Sequence, residues 1–294
     1  MRIALPAATY PDENSLLRFW SALQDRAGSL PGVQSATFVS GLPPVRPINA
    51  NDTQIEGFFR KPGGPLQNID YWQTVGHRYF ETLGIRLIEG RFFDERDGEN
   101  APAVVVINQT MARTYWPGES ALGRRIRPGF RDPWRTIVGV VGDVKNAGLD
   151  KPAGTELYLP HRQLAQAGFG LRGGFLVLRT QGNPSGMIGA ARGEIRALDA
   201  ALPVAAVRTM DDVLLAARSR PRPRGRPEGH APGLPPGGLP GRARLRAQAA
   251  PLWQPVPRAG HRGAARLDDR AVRGRRGRGR CVPEHRDHPQ RSLT

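Results

Sequence analysis

The spacing of apolar residues predicts a strand–helix–strand unit at the start of the chain. MRIALP is typical of a short strand, PDENSLLRFWSALQDRAG of a helix, and VQSATFVSG alternates as a second strand. Asp12 is a good N-cap for the helix, and Gly28 followed by Pro31-Gly32 ends it. One face of this helix carries the apolar stripe Leu16, Trp20, Leu23 and Ala27.

A second unit of the same kind is predicted over residues 173–210. GGFLVLRT (173–180) indicates a strand, and Asn183-Pro184 is a typical helix start. The helix buries a stripe formed by Ile188, Ala191, Ile195 and Leu198. LPVAAVRTM (202–210) is predicted as the returning strand, and MDDVLLAARS as a further short helix. Two such units can share one sheet with helices on one face, as in ferredoxin-like folds.

The region between the two units is rich in predicted strands. They are IDYWQTV (69–75), IRLIEGRFF (85–93), the apolar run in APAVVVIN, TIVGVVGDV (136–144) and TELYLP (155–160). HRYFETLG (77–84) indicates a helical turn, and QTMARTYW a short helix that Pro117 ends. The Pro-, Gly- and Asn-rich residues 41–66 predict a long loop. The fold class is therefore α+β, a ferredoxin-like (porter-type) subdomain with a strand-rich subdomain inserted.

Charge divides the chain near residue 219. The whole chain has a formal net charge of +17, but residues 1–218 contribute only +4 and residues 219–294 contribute +13, from 18 Arg and 5 acids. Two stretches of this tail resemble nucleic-acid-binding segments: RPRGRP (222–227) matches the core of an AT-hook, and RGRRGRGR (273–280) an RGG-type segment. A basic arm that binds nucleic acid is therefore one interpretation of the tail.

The composition of the tail favours a second interpretation. Arg, Pro, Gly and Ala make up 50 of its 76 residues, and Ile, Phe, Tyr, Asn, Lys and Met are absent. The four abundant residues mostly have codons that start with two G/C bases, and the six missing residues have A/T-rich codons. A GC-rich gene read out of frame produces this signature. We expect residues 219–294 to be disordered, because dense Arg and Pro prevent a core.

Motifs for catalysis or nucleotide binding are weak in residues 1–218. VGVVGDVKNAG has three glycines after a strand but departs from G-x-G-x-x-G, so a turn at a strand end is the better interpretation. None of the three lysines follows a glycine, which excludes a classical phosphate-binding loop, and no G-x-S-x-G elbow is present. No apolar run is long enough for a signal peptide or a membrane span.

Acidic, histidine and cysteine residues do not have the spacing of metal ligands. The segment FFDERDGEN contains four acidic residues within six positions, Asp94, Glu95, Asp97 and Glu99. Their spacing does not fit a calcium-binding EF-hand loop and Arg96 interrupts it, so we predict a solvated turn. His77 and His161 have no H-x-x-x-H partner. The tail holds a weak potential ligand set, Cys281, His285 and His288. We expect no catalytic residue, no cofactor, no metal site and no enzyme activity.

Several sequence segments within residues 1–218 resemble one family, and this range is about three quarters of the chain. They are HRYFETLGIRLIEGRFFDERD, VVVINQTMARTYWPGESALGRRIR, WRTIVGVVGDVKNAGLD, ELYLP and EIRALDAALPVAAVRTMDDVL. Their order resembles the MacB-like periplasmic core domain of FtsX/MacB-type ABC transporter permeases, in particular the duplicated orphan permeases. In that family the domain lies between two membrane helices. The chain starts inside the first predicted strand. The Arg-rich sequence from residue 219 onward stands where the family has its second membrane helix, which predicts a frameshift near residues 219–225.

The resemblance implies a function and a location. The domain would lie on the periplasmic side of the inner membrane and couple the motion of a separate ATPase to export or to an external partner. Residues 1–40 and 172–218 would form the membrane-proximal subdomain, and residues 41–171 the distal one. The implied partners are an ABC ATPase, a permease dimer partner or an adaptor protein, with non-specific binding of polyanions by the tail. The alternative is a soluble domain with a nucleic-acid-binding tail.

Overall fold

A computed structural model describes residues 1–44, 46–60, 62–63, 67–129, 132–164 and 170–219. The predictions of a disordered tail, of nucleic-acid-binding segments and of a Cys281, His285 and His288 ligand set lie outside these residues. In chain order the strands are β1 (Arg2–Ala4), β2 (Val33–Val39), β3 (Asn51–Ile55), β4 (Asn68–Ile69), β5 (Tyr71–Val75), β6 (Leu87–Gly90), β7 (Val104–Asn108), β8 (Arg125–Pro128), β9 (Arg135–Val141), β10 (Glu156–Pro160), β11 (Gly173–Thr180) and β12 (Val204–Ala205). The α-helices are α1 (Glu13–Gly28), α2 (Tyr79–Leu83), α3 (Gln109–Tyr115), α4 (Ile188–Leu198) and α5 (Met210–Arg218).

The strands of the described residues form one continuous mixed sheet. Its order is β12-β1-β11-β2-β5-β10-β7-β9-β8-β3-β4, and β6 pairs with β9 beside this path. The first four strands come from the two ends of the described chain, and the others come from residues 51–160. We call these the ferredoxin-like half and the middle half of the sheet.

The ferredoxin-like half confirms the predicted fold class. Its order β12-β1-β11-β2 is that of two interleaved strand–helix–strand units, and all three of its strand pairs are antiparallel. Helices α1 and α4 cover one face and enclose a core that contains Ile3, Trp20, Phe38, Leu176 and Ile195. The predicted caps are present: the Asp12 carboxylate accepts from the Ser15 N–H at the start of α1. The Asn183 side chain accepts from the Ser185 N–H at the start of a short 3-10 helix, Pro184–Met187, which leads directly into α4.

Trp20 provides a test of this core. Its side chain is fully buried, its ring lies 4.9 Å from that of Phe38, and its Nε1 donates to the Leu171 carbonyl over 2.6 Å. Trp20→Phe should lower the free energy of unfolding by about 2 kcal/mol, because it opens a cavity and leaves a buried carbonyl unpaired. Trp134→Phe is the control: that ring is half-buried between Arg125 and Arg127 and should cost less than about 1 kcal/mol. Equal losses in chemical denaturation would contradict this role for Trp20.

The middle half has a core on each face of the sheet, because consecutive residues of a strand point to opposite faces. Val105 and Leu157 pack against Met111 of α3 on one face. Val106 and Tyr158 pack against Phe80 of α2 on the other face. The second core also includes residues of β2 and β11, so α2 covers part of both halves of the sheet.

The structure corrects three predicted boundaries. Residues 41–66 are not one long loop, because β3 (Asn51–Ile55) forms within them and pairs with β8, a strand that the pattern did not predict. The strand predicted over 202–210 is limited to β12, and Ala206 follows with a left-handed φ of 49°. The strand predicted over 85–93 is limited to β6, which ends at Gly90 with φ 76°. Left-handed backbone leaves the extended region and ends both strands.

Candidate functional site

The two halves of the sheet meet at a narrow joint between β2 and β5. Val39 opposite Val75 is the one residue pair in register there. Beyond this pair, the Ser40 N–H donates to the Thr74 carbonyl over 3.0 Å and the Gly76 N–H to the Phe38 carbonyl over 2.8 Å. The pairing is therefore much shorter than the six residue pairs that join β2 to β11.

Gln73 reinforces this joint from a fully buried position. Its Oε1 accepts from the Ser40 hydroxyl over 2.7 Å and from the Gly41 N–H over 3.1 Å. Its Nε2 donates to the Gly41 carbonyl over 2.8 Å. One amide side chain of β5 thus uses both of its polar atoms to hold the segment that follows β2.

A buried ion pair lies beside the joint. Arg46 Nη1 and Glu156 Oε1 are 3.5 Å apart, with side-chain exposures of 7% and 1%. The other oxygen of Glu156 accepts from the Tyr158 hydroxyl over 2.7 Å and from Asn146 Nδ2 over 2.9 Å. Arg46 Nη2 donates to Asn49 Oδ1 over 3.0 Å and to the Trp72 carbonyl. The pair therefore ties the segment after β2 to strands β5 and β10.

Burial dominates the electrostatics of this pair. It raises the pKa of Glu156 to about 7, against the lowering effects of the Tyr158 hydrogen bond and of Arg46. Burial lowers the pKa of Arg46 for the same reason, and the charge of Glu156 partly offsets that effect. It also raises the pKa of Tyr158 well above its ordinary value. Burial thus favours the neutral form of Glu156, and the nearby charge of Arg46 favours its ionised form.

A cleft of about 840 Å³ opens at the same joint and is lined by both halves of the sheet. Trp72, Thr74 and Leu159 line it from the middle half, and Arg2, Gly174 and Phe175 from the ferredoxin-like half. Ser40, Leu42 and Arg46 line it from the segment between the halves. The volume lies within the range of small-molecule sites in proteins.

The predicted acidic turn is held together by arginines. Asp97 is buried and accepts from Arg91 through both carboxylate oxygens, at 2.7 and 2.8 Å, so the prediction of a solvated turn is wrong at this residue. Asp94 pairs with Arg96, whose hydrogen bonds lower the Asp94 pKa. Within the described ranges, no group of three or more His, Cys, Asp or Glu residues is arranged to hold a metal ion.

The two histidines of the body line one small pocket of about 50 Å³ together with Asp94 and Asp97. His161 is buried against the Phe38 ring, with centroids 4.8 Å apart, and burial lowers its pKa to about 4. The His77 carbonyl accepts from Gln24 of α1 over 2.7 Å. β9 ends at Val141 without a following helix, as predicted for VGVVGDVKNAG. None of the helices in the described part of the chain is long and apolar enough to cross a membrane.

Sequence reasoning missed the residues of the joint. Arg46 lies in a stretch predicted as loop, and Glu156 lies in a strand predicted from its apolar neighbours. The available signal was a carboxylate inside the apolar strand TELYLP, because a buried acid requires a polar or charged partner. Only the tertiary structure identifies that partner as Arg46.

Comparisons with known proteins place the chain in a class. Residues 9–213 match the family model described as MacB-like periplasmic core domain. The macrolide export ATP-binding/permease protein MacB of Neisseria gonorrhoeae is 37% identical over 73 residues, 25% of this chain and 11% of that protein. MacB of Bartonella henselae is 33% identical over 89 residues, 30% of this chain and 13% of that protein. These alignments thus span about an eighth or less of the relatives' length.

Two solved structures align with part of this chain. The periplasmic region of MacB from Actinobacillus actinomycetemcomitans aligns with a TM-score of 0.47 and 16% identity, over 69% of this chain and 84% of that chain. The extracellular domain of the ABC-type transporter YknZ from Gram-positive bacteria aligns with a TM-score of 0.42 and 15% identity, over 67% and 90%. The family match and the MacB relatives support a periplasmic domain of an ABC transporter permease. The chain belongs to the family of MacB-like periplasmic core domains.

Proposed function

We propose that this domain couples the ATP-driven motion of a separate ABC ATPase to export, or to an external partner, on the periplasmic side of the inner membrane. The observation that carries the proposal is the family match over residues 9–213. The partners would be the ATPase, a second permease copy or an adaptor protein. Such coupling requires an element with two arrangements whose balance is shifted by a distant event.

The joint between the sheet halves is our candidate for that element. Few main-chain hydrogen bonds cross it, and the contacts of Gln73 and Arg46 reinforce it from the side. Strands β1 and β12 pair directly, with Arg2 opposite Ala205. The β1–β12 pair brings residues near the two ends of the domain together, and the family resemblance implies a membrane helix at each end. On that basis we assign residues 1–40 and 172–218 to a membrane-proximal subdomain and residues 41–171 to a distal, partner-facing subdomain. Relative motion of the two would open or close the cleft.

The proposal is tested by resequencing the gene through codons 210–230 and beyond and translating all three frames. We expect a neighbouring frame to continue from about residue 220 into an apolar helix of roughly 20 residues, the length that spans a bilayer. Residues 219–294 are then an out-of-frame product, and the domain belongs to a membrane permease. A sound reading frame without such a helix nearby would contradict this assignment.

The alternative function is nucleic-acid binding by the tail, which the Arg-rich segment RPRGRP (222–227) favours. A tail with a net charge of +13 binds DNA non-specifically whatever its origin, so binding alone does not discriminate. A preference for A/T tracts that is lost in Arg224→Ala, measured by competition with G/C-rich duplexes at one salt concentration, would support this function. Equal affinity for both duplexes, unchanged in Arg224→Ala, is what the permease proposal predicts.

A further inference from the structure

The cleft at the joint has an apolar interior and a positively charged rim. Trp72, Leu159, Leu164 and Phe175 supply apolar surface. Among the described residues, one acidic side chain lines the cleft, Asp132, and it is buried and held by Arg135 at 3.3 Å. Arg46 is likewise paired with Glu156. Asp132 and Arg46, the charged side chains that the described residues place inside the cleft, are therefore each paired with an opposite charge.

Two further arginines line the cleft, Arg2 and Arg208, and neither forms a salt bridge with a carboxylate of the described residues. Both are exposed, and neither has a carboxylate within 4.0 Å among the described residues, although Arg208 acts on Asp212 at longer range. Both lie on the ferredoxin-like side of the cleft, because Arg2 pairs with Ala205, three residues before Arg208. The rim there presents two cations to a ligand.

Helix α5 supplies an incompletely covered apolar wall. It has no fully buried residue, although it carries the apolar run VLLAA at positions 213–217. Val213 and Ala216 both line the cleft and lie three residues apart, on one face of the helix. An apolar chain in the cleft would bury this face between α5 and the sheet, which would stabilise both the ligand and the helix.

We propose that this cleft binds a single-chain anionic amphiphile. Its head group, a carboxylate or phosphate, would lie between Arg2 and Arg208, and its alkyl chain would extend under α5 toward Trp72 and Leu159. Because both halves of the sheet line the cleft, such a ligand would contact the two sides of the joint at once. This proposal does not rest on transport, since it concerns binding to the chain alone.

The test is displacement of a fluorescent fatty acid, cis-parinaric acid, from the full chain by dodecanoate, dodecyl phosphate or dodecanol, all below their aggregation concentrations. We expect saturable binding at one site, and displacement by dodecanol at least tenfold weaker than by the two anions. The ratio of dodecanoate to dodecyl phosphate affinity distinguishes a fatty-acid source from a phospholipid-derived one. The absence of saturable binding, or equal affinity for dodecanol, would overturn the proposal.

Matched variants separate the cleft from the general positive charge of the chain. The double variant Arg2→Gln/Arg208→Gln should weaken anion binding about tenfold or more, and Ala216→Trp, which fills the cleft from an exposed position, should abolish it. The control Arg192→Gln/Arg196→Gln removes the same charge from exposed positions of α4 and should bind as the unaltered chain does. Equal weakening in both double variants, or unchanged binding in Ala216→Trp, would exclude the cleft as the site.

Discussion

Arg46→Met should destabilise the domain strongly above pH 7 and only weakly near pH 5. The reason is the state of Glu156, whose pKa in the fold is raised to about 7 by burial, against about 4.3 in an unfolded chain. Below about pH 5 the carboxyl group is neutral in the fold and needs no counter-ion. Above pH 7 it is ionised, and Arg46 is the cation at 3.5 Å that compensates it.

Proton linkage determines the direction in which pH changes the free energy of unfolding. A raised pKa means that the folded state binds the proton more tightly, so this contribution to stability is full below about pH 4.3 and is lost as pH rises through 7. Removal of Arg46 raises the pKa of Glu156 further and extends the loss to higher pH. At pH 8.5 we expect the variant to be about 3 kcal/mol less stable than the unaltered chain, as for a broken buried ion pair.

Urea denaturation of Arg46→Met and of the unaltered chain at pH 5.5 and 8.5 measures this difference. Some loss is expected at both values, because Arg46 also donates to Asn49 and to the Trp72 carbonyl. His161 has a lowered pKa and therefore an opposite dependence, with stability lost as pH falls below 6.5, but it cancels between the two proteins.

Glu156→Gln is the matched control for this pair. It removes the titrating group while keeping a side chain of similar shape, so Arg46→Met in the Glu156→Gln background should cost the same at both pH values. A cost of Arg46→Met in the unaltered background that does not change between pH 5.5 and 8.5 would refute the role assigned to the ion pair.

Most of the ferredoxin-like half could be predicted from the sequence because its signals are local. The stripe from Leu16 to Ala27 has helical spacing, and the Asp12 and Asn183 caps lie next to the helices that they begin. Strand β3 gave no such signal: NDTQI has one strongly apolar residue, and it is extended because it pairs with β8, seventy residues later. Tertiary pairing decides the structure of such a segment, whatever its propensity.

The joint could not be predicted for a related reason. The contacts that stabilise it, those of Gln73 and of the Arg46–Glu156 pair, join residues that are far apart in the chain. The local sequence around each of these residues does not indicate its partner. The charged turn shows the same limit at shorter range, since FFDERDGEN does not indicate that Asp97 is buried against Arg91. Periodicity predicts which face of an element is covered, but it carries no information about which distant side chain covers it.

Gly139→Ala should be among the most destabilising single substitutions in the middle half. The backbone at the end of β6 lies very close beside β9 at this position. The Arg91 N–H donates to the Val138 carbonyl over 2.9 Å, and Gly90 lies opposite Gly139. A methyl group on Gly139 would overlap the Arg91 carbonyl oxygen and lie 3.1 Å from its carbon. These neighbours are backbone atoms, so no side-chain rotation relieves the overlap.

The substitution must therefore separate β6 from β9, and we expect a loss of about 3 kcal/mol or more in the free energy of unfolding. Thermal denaturation should show a fall in Tm of about 6 °C or more. Hydrogen exchange locates the effect, since the Arg91 amide should lose its protection.

Gly193→Ala is the matched control for this contact. Gly193 lies inside α4 with open space around it, so the same chemical change there should raise stability by about 0.5 to 1 kcal/mol through helix propensity. If Gly139→Ala lowers the free energy of unfolding and Gly193→Ala raises it, the loss in Gly139→Ala comes from the close backbone contact, because both variants add the same methyl group. If Gly139→Ala unfolds within about 0.5 kcal/mol of the unaltered chain and keeps the Arg91 amide protected, the close approach of β6 to β9 is incorrect.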